Sequence, residues 1–292
     1  MSRDGGPVMQ GMIAPTWPRR ILGVISAAEL SGCSDGLFDP QGPIAIAEKT
    51  ILYDSLAIMA AIILPTVGAT LSFVWWFRSA NKRAHYLPDW QYSGRIELIA
   101  WSIPAMTILL LASVGWIGAH ELDPFKPLAG SGKPLRIQVV SLDWKWLFIL
   151  PDQGIADVNR VIVPVATPLS LELTSSGVMN AFLVPRLGSQ IAVMPHMVTR
   201  LHLLADRPGT YAGLSTQFSG EGFATMSFTV EALPPDRFEH DVAAIRGQGR
   251  PLDPDTYADL AAPSQAVAPY AYGAVSPGLF ETILRSELRR ER

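Results

Sequence analysis

The sequence predicts two membrane-spanning helices, one all-β domain and a helical tail. Residues 55–77 and 98–119 contain no charged side chain, and one helix of about 20 apolar residues crosses a hydrocarbon core of roughly 30 Å. From residue 135 the chain changes to short β-rich runs broken by proline and glycine, which is typical of a sandwich or barrel. After Pro234-Pro235 the composition changes again, to a tail rich in proline, alanine and aspartate.

The overall composition agrees with a membrane part joined to one extramembrane domain. Of the 292 residues, 49% are hydrophobic and 17% are charged, which is low in charge for a purely soluble protein. The formal net charge of −3 lacks the strongly basic balance of nucleic-acid-binding proteins, so no nucleic-acid partner is predicted. The single cysteine, Cys33, excludes a framework of intramolecular disulfides.

The two apolar runs carry residues that suit membrane helices. Pro65 and Gly68 lie inside the first run, where neighbouring helices satisfy the freed backbone groups. Trp101 and Trp116 lie near the ends of the second, where indole rings favour the membrane–water interface. The predicted spans are residues 51–78 and 96–120, joined by the loop 79–95.

The region between the two spans predicts the orientation of the chain. Arg78, Lys82, Arg83 and Arg95 stand there against the acid Asp89, and loops with an excess of basic residues remain in the cytoplasm. Both flanking parts of the chain then lie outside the cytoplasm. These predicted parts are the segment 33–50, the β domain 121–233 and the tail 234–292.

The N-terminal residues 1–32 have the order of a signal peptide. Arg19-Arg20 precede the apolar run 21–30, and that run closes in Leu30-Ser-Gly-Cys33, as a small-residue cleavage site would. These last four residues resemble a bacterial lipoprotein box. The resemblance implies that Cys33 is diacylated and becomes the mature N-terminus. The alternative is a free thiol beside an uncleaved apolar stretch.

Eight short β-rich runs make up the predicted domain, and turn residues such as Pro151-Asp and Pro208-Gly separate them. Their near-regular spacing favours a sandwich or barrel. The terminal residues 278–288 have apolar side chains at helical spacing, which predicts a helix. The β-rich runs are residues 135–142, 145–150, 158–163, 169–174, 178–184, 199–204, 211–216 and 225–232.

Residues 215–226 carry the most informative pattern in the chain. Ser215, Ser219, Phe223 and Met226 have the spacing of C-x3-C-x3-H-x2-M, which is the copper-ligand run of cytochrome c oxidase subunit II. Gln217 lies inside this run and also matches a family position. Upstream, the segment 178–185 resembles the one that supplies the first histidine ligand of that family, and Asn180 occupies the histidine position.

These substitutions decide what the run can bind. A binuclear copper site needs bridging thiolates, because soft sulfur holds copper in both of its oxidation states. Serine hydroxyls and a phenyl ring do not replace thiolates and imidazole. The sequence therefore predicts that no copper, and no other cofactor, is held by this chain.

Nearly the whole chain resembles subunit II of the heme–copper terminal oxidases. Within that superfamily, residues 143–148, 178–190, 199–202 and 218–220 look like the ubiquinol oxidase branch of the cytochrome bo type. The resemblance implies a cupredoxin-like Greek-key sandwich standing on a two-helix hairpin. In the tail, the segment that resembles the aromatic-rich C-terminal motif of that branch contains residues 260–264, Tyr270, Tyr272 and Phe280.

The resemblance implies a non-catalytic subunit of a proton-pumping ubiquinol oxidase that reduces oxygen to water in the aerobic respiratory chain. Ubiquinol, hemes and copper are expected in the catalytic subunit I. That subunit, the other oxidase subunits and the lipid bilayer are the implied partners, and cytochrome c is not. The implied location is the bacterial inner membrane, with the C-terminal domain in the periplasm.

Glu97 is the candidate functional residue of the membrane part. It lies at the cytoplasmic end of the second predicted span, and it matches the family glutamate proposed as the entrance of a proton pathway into the catalytic subunit. The alternative is a solvated acid at a helix N-terminus, which the helix dipole stabilises by roughly 0.3–1 kcal/mol.

Other interpretations of the sequence are weaker. Met194, His196 and Met197, with His202 and Met226 downstream, could form a soft copper(I) site of thioether and imidazole. Trp144 and Trp146 are expected to alternate along one strand and to point the same way. The chain contains no assembled catalytic motif. The alternative functions are a copper-bearing cytochrome c oxidase subunit II and a free-standing, membrane-anchored cupredoxin-like binding lipoprotein.

Overall fold

The computed structural model describes residues 36–85, 87–128 and 132–290. The predicted signal peptide and Cys33 lie outside the described residues.

Two long helices carry the apolar runs. Helix α1 spans Pro43–Trp76 and α2 spans Gly94–Glu121, and both are long and apolar enough to cross a membrane. Helix α1 begins eight residues before the predicted span at 51, with proline at its first position, where the missing N–H is not needed. The helices touch at Gly118, where an added Cβ would lie 2.6 Å from Ile51.

The β domain consists of two packed sheets. One has six strands in the order β12-β3-β2-β1-β5-β8, and the other has five in the order β4-β10-β9-β6-β7. Strands β1 and β5 are parallel, as are β4 and β10, because the chain crosses between the sheets in Greek-key fashion. The strands are β1 (Leu135–Leu142), β2 (Lys145–Leu150), β3 (Ile155–Val158), β4 (Arg160–Pro164), β5 (Leu169–Ser175), β6 (Asn180–Val184), β7 (Gly188–Val193), β8 (Thr199–Leu203), β9 (Gly209–Ser215), β10 (Ser227–Leu233), β11 (Pro251–Leu252), β12 (Tyr270–Tyr272) and β13 (Ala274–Val275).

The strand predictions differ from the structure at two places in the sandwich, and β11, β12 and β13 of the tail were not predicted. The predicted run 158–163 is divided between β3 and β4, which belong to different sheets, because Asn159 turns the chain in the left-handed region (φ 55°). Strand β7 was not predicted, since its sequence Gly-Ser-Gln-Ile-Ala-Val gives little alternation between apolar and polar residues.

Aromatic rings fill the space between the sheets. The Trp146 ring lies 5.5 Å from Phe182, and Phe182 stacks on Phe228 at 4.7 Å. The expected pairing of Trp144 with Trp146 on one strand is wrong. Trp144 lies in the β1–β2 turn with a φ of 63°. Its side chain therefore contacts the β9–β10 loop, where the indole nitrogen donates to the Ser219 carbonyl.

The tail covers the outer face of the six-stranded sheet. Leu252, Leu260, Tyr272, Phe280 and Ile283 form a second apolar cluster there with side chains of β1, β2 and β3. Strand β2 is therefore buried along its whole length, whereas β10 alternates between buried and more exposed residues. The tail helices are α3 (Pro235–Gln248), α4 (Pro254–Ala261) and α5 (Leu279–Arg290).

A buried carboxylate lies near the junction of the two sheets. Asp157 of β3 is fully buried, and neither of its carboxylate oxygens has a hydrogen-bond partner among the described residues. Arg160 approaches it at 3.9 Å. Burial raises the pKa of Asp157 from 3.8 to about 7, although the charge of Arg160 opposes this shift.

The buried Asp157 carboxylate predicts that the free energy of unfolding decreases as the pH rises. The folded state holds the Asp157 proton up to about pH 7 and the unfolded state releases it near pH 4. Between those values each pH unit costs up to roughly 1.4 kcal/mol. Asp157→Asn should flatten this dependence and raise the melting temperature at pH 8, measured on the full chain in detergent. An equally steep pH dependence in Asp157→Asn would contradict the assignment.

Candidate functional site at the loop end of the sandwich

The sequence-predicted positions lie at one end of the sandwich, which we call the loop end. It comprises the β1–β2 turn (143–144), the β5–β6 connection (176–179) and the β9–β10 loop (216–226). Strand register brings these segments together, because Ser141 of β1 is opposite Ser175 of β5, and Phe182 of β6 is opposite Ser215 of β9.

Asn180 is the centre of a buried hydrogen-bonded chain. Its amide nitrogen donates to Ser141 Oγ at 2.7 Å, and its amide oxygen accepts from Ser215 Oγ at 2.9 Å. Asn180 and Ser215 are only 2% and 4% exposed. The three side chains thus satisfy each other across three strands. Ser141 was not predicted, because one serine in an apolar strand gives no signal in the sequence.

The other positions of the run lie close by but outside this chain of bonds. Ser219 Oγ lies 3.9 Å from the sulfur of buried Met226. The half-buried Phe223 ring packs against Phe218 at 5.7 Å. The Gln217 side chain is exposed, and its backbone carbonyl accepts from Ser215 Oγ at 3.4 Å.

The β9–β10 loop packs on the Trp144 ring. Its indole nitrogen donates to the carbonyl of Ser219 at 3.0 Å. Gly222 passes directly over the ring, where an added Cβ would lie 2.3 Å from Trp144 Cγ. A side chain at Gly222 is therefore excluded, since real Cβ atoms do not approach so closely.

A segment of the tail, residues 262–267, closes the loop end from outside, and we call it the strap. Buried Lys145 donates from Nζ to the Ala262 carbonyl at 2.7 Å and also to the Ser264 hydroxyl. Asn159 donates to the Val267 carbonyl at 2.8 Å. The strap reaches the β9–β10 loop through a 3.3 Å bond from the Ala266 amide to Thr225 Oγ1.

Burial at the loop end also shifts the pKa of Lys145. Burial lowers its pKa below the ordinary lysine value, while the nearby charge of Asp143 raises it. Because two oxygens accept from the buried ammonium group, Lys145 fixes the strap through charge-assisted hydrogen bonds.

The donor atoms at the loop end do not fit a thiolate-bridged copper pair. They are an amide, hydroxyl groups and one thioether, and copper of this type needs bridging thiolates. Among the described residues, no three His, Cys, Asp or Glu side chains are grouped to hold a metal ion. The amide and hydroxyl groups are also engaged with each other.

His202 lies apart from Met194 and Met226, two other members of the copper(I) alternative, and the Met194 carbonyl accepts from the Ser175 amide at 3.3 Å. Nδ1 of His202 lies 3.1 Å from the carbonyl of Pro124, and Nε2 lies 3.5 Å from Ser170 Oγ. His202 therefore binds the linker that follows α2, at the end of the sandwich opposite to the loop end, which we call the linker end. Met226 lies at the loop end, so the two residues do not share a site.

Glu97 lies apart from the loop end, in the first turn of α2. Its backbone amide donates to the carbonyl of Ser93 at 3.0 Å, and its side chain is exposed. It stands beside the basic loop between the two helices, as the sequence predicts.

Comparison with known proteins agrees with this geometry. Residues 140–233 match the model of the cytochrome c oxidase subunit II periplasmic domain, and residues 246–286 match the COX aromatic rich motif. Ubiquinol oxidase subunit 2 of Acetobacter aceti is 45% identical over 91% of this chain and 87% of its own length. The chain belongs to the ubiquinol oxidase subunit 2 family.

Two further members of this family show similar agreement. Cytochrome bo(3) ubiquinol oxidase subunit 2 of Pseudomonas aeruginosa is 42% identical over 90% of this chain and 80% of its own length. That of Buchnera aphidicola is 45% identical over 72% of this chain and 73% of its own length. The predicted family and fold are confirmed: two apolar helices, a cupredoxin-like sandwich and an aromatic-rich C-terminal motif in a membrane-anchored protein.

The hydrogen-bonded chain through Asn180 predicts a specific loss of stability. Asn180→Ala leaves the buried hydroxyls of Ser141 and Ser215 without these partners, which should cost about 1–3 kcal/mol. Gln217→Ala, at an exposed position of the same loop, should change stability by less than about 0.5 kcal/mol. Chemical unfolding of the full chain in detergent measures both. Equal effects of the two substitutions would refute the structural role of Asn180.

Proposed function

We propose that the chain is subunit II of a proton-pumping ubiquinol oxidase, in which ubiquinol is oxidised and oxygen is reduced to water. The observation that carries the proposal is the buried chain Ser141–Asn180–Ser215, in which Asn180 and Ser215 occupy positions that resemble copper-ligand positions of the copper-bearing branch. The relatives named as ubiquinol oxidase subunits, at 42–45% identity, support the same assignment.

The nature of the electron donor explains why this chain lacks the ligands of a copper site. A soluble one-electron carrier docks outside the membrane, so its electrons need a relay in the extramembrane domain. Ubiquinol is dissolved in the bilayer and delivers electrons directly to a heme of the membrane subunit. A relay in this sandwich would then have no substrate. Its positions are free to carry Asn180, Ser215, Ser219 and Phe223.

The chain contributes structure rather than chemistry to the complex. In this proposal the heme-bearing subunit I, with the other oxidase subunits, holds the hemes, copper and ubiquinol, and no cytochrome c binds. The exposed apolar faces of α1 and α2 then serve contact with lipid and with subunit I. Small and polar residues on α2, such as Ser113 and Gly115, favour close helix packing.

The orientation in the membrane follows from charge. The loop between α1 and α2 carries Arg78, Lys82 and Arg83, and this excess of basic residues supports a location on the cytoplasmic side of a bacterial inner membrane. The sandwich then lies in the periplasm. Cys33 would be acylated on the same side, which agrees with its export as part of a lipoprotein box.

Glu97 is proposed as the entrance of a proton pathway into subunit I. It lies at the cytoplasmic end of α2, and its carboxylate is exposed. Ionisable residues within membrane-spanning segments are functional candidates by default.

The copper prediction is tested on the isolated full chain. Elemental analysis should find far less than one copper per chain, without the visible absorption of a thiolate-bridged pair, because the donors are hydroxyls and an amide. Stoichiometric, tightly held copper would contradict the proposal. The converse variant should acquire copper, and it combines the substitutions Asn180→His, Ser215→Cys, Gln217→Glu, Ser219→Cys and Phe223→His.

The role of Glu97 is tested by turnover. Glu97→Gln removes the titratable group and nearly preserves shape, so the complex should assemble with normal heme content and consume oxygen more slowly. Glu97→Asp keeps a carboxylate near the same depth and should lose less activity. Quinol-dependent oxygen uptake per heme measures both. Wild-type turnover in an assembled Glu97→Gln complex would show that the carboxylate acts only at the helix end.

A further inference from the structure

A groove opens where α1 leaves the sandwich, and we call it the N-terminal groove. It has a volume of about 430 Å3, and its walls are the segment 38–41, one face of α1 and the β8–β9 turn. The α1 face presents Ile46, Lys49 and Tyr53, which are neighbours on a helix because they are spaced by three and four residues. Arg207 closes the groove from the turn.

The groove lies at the level of lipid headgroups. The charge-free part of α1 begins at Ser55, and a helix rises about 1.5 Å per residue. Tyr53 and Lys49 are therefore within roughly 3–9 Å of the start of the hydrocarbon layer. Tyrosine is enriched at this membrane–water interface, and Tyr53 is 49% exposed.

The groove carries positive charge. Lys49 is held in place, since Nζ donates to the Phe38 carbonyl at 2.8 Å and lies 5.7 Å from the centre of the Tyr53 ring. An ammonium group has three donors, so the bond to Phe38 leaves Lys49 with further donor capacity. Arg207 adds a second cation at the opposite wall.

Among the residues that line the groove, Asp39 is the acid, and Asp206, which precedes Arg207 in the turn, is outside the lining. Asp39 lines the groove, but its carboxylate is ion-paired with Arg186. Asp54 lines a different cleft, between α1 and α2. Glu48 is outside the lining of the groove.

The charge-free part of α1 on the membrane side of Lys49 has an apolar surface. Phe38 and Ile46, which are 47% and 48% exposed, add apolar side chains to the groove itself. Leu56 and Leu64 continue the exposed apolar surface of α1 into the membrane span. The groove therefore combines a cationic upper part with an apolar path along the helix, which matches the headgroup and acyl chain of a phospholipid.

We propose that the N-terminal groove binds a phospholipid of the periplasmic leaflet, with its phosphate between Lys49 and Arg207. Charge complementarity favours this occupant over the acyl chains expected on Cys33. A diacylglyceryl thioether carries no phosphate, and it would gain nothing from two cations. The site lies at the linker end of the sandwich, apart from the loop end and from Glu97.

The test measures phospholipid retained by the full chain, purified in mild detergent with its associated subunits. Lys49→Gln combined with Arg207→Gln should lower phospholipid by about one molecule per chain in native mass spectra and weaken rebinding of phosphatidylglycerol at least tenfold. Lys133→Gln combined with Arg200→Gln removes two exposed cations elsewhere and should leave both values unchanged. Lys49→Arg combined with Arg207→Lys keeps the charges and should retain the lipid.

Two competitors show whether the groove recognises the phosphate or the acyl chains of the phospholipid. Diacylglycerol lacks the phosphate and should not displace phosphatidylglycerol, and inorganic phosphate lacks the acyl chains and should displace it only at millimolar concentration. Unchanged lipid retention in Lys49→Gln with Arg207→Gln would overturn the proposal. Equal competition by diacylglycerol would also overturn it, since the occupant would then be recognised by its acyl chains alone.

Discussion

The loop end of the sandwich depends on the hydrogen bonds that join the Asn180 carboxamide to Ser141 and Ser215. One amide donates to Ser141 and accepts from Ser215, so it joins both sheets at the loop end. A carboxamide suits this position because it donates and accepts at once, and each buried hydroxyl then has a partner. The β9–β10 loop is anchored at Ser215 and lies on the Trp144 ring. A metal ion is not needed to hold it.

The tail completes the same structure from the other side. Its apolar residues give the six-stranded sheet a second buried face, and β12 joins that sheet beside β3. Lys145 and Asn159 then bind the strap to the loop end. The boundary between domain and tail at residue 234 is therefore a change in composition, and the two parts pack against each other and share one sheet. One unfavourable consequence of this packing is that Asp157 is buried without a hydrogen-bond partner in the described structure.

The sequence predicted the parts of the fold that composition or alternation controls. The apolar helices and most strands were found because long charge-free runs and repeated β-rich segments have few other solutions. Strand β7, the break at Asn159 and the turn at Trp144 were missed, since each depends on tertiary contacts or on a left-handed residue outside glycine. The spacing of Ser215, Ser219, Phe223 and Met226 located the candidate site. The role of Ser141 and the strap came only from the structure, because their partners lie 39 and 117 residues away.

Hydrogen–deuterium exchange of residues 216–226 in the purified complex tests most directly whether hydrogen bonds rather than a metal hold the loop end. Our account predicts that protection of these amides is unchanged by a copper chelator and falls in Asn180→Ala. Loss of protection on chelation, with normal protection in Asn180→Ala, would contradict it.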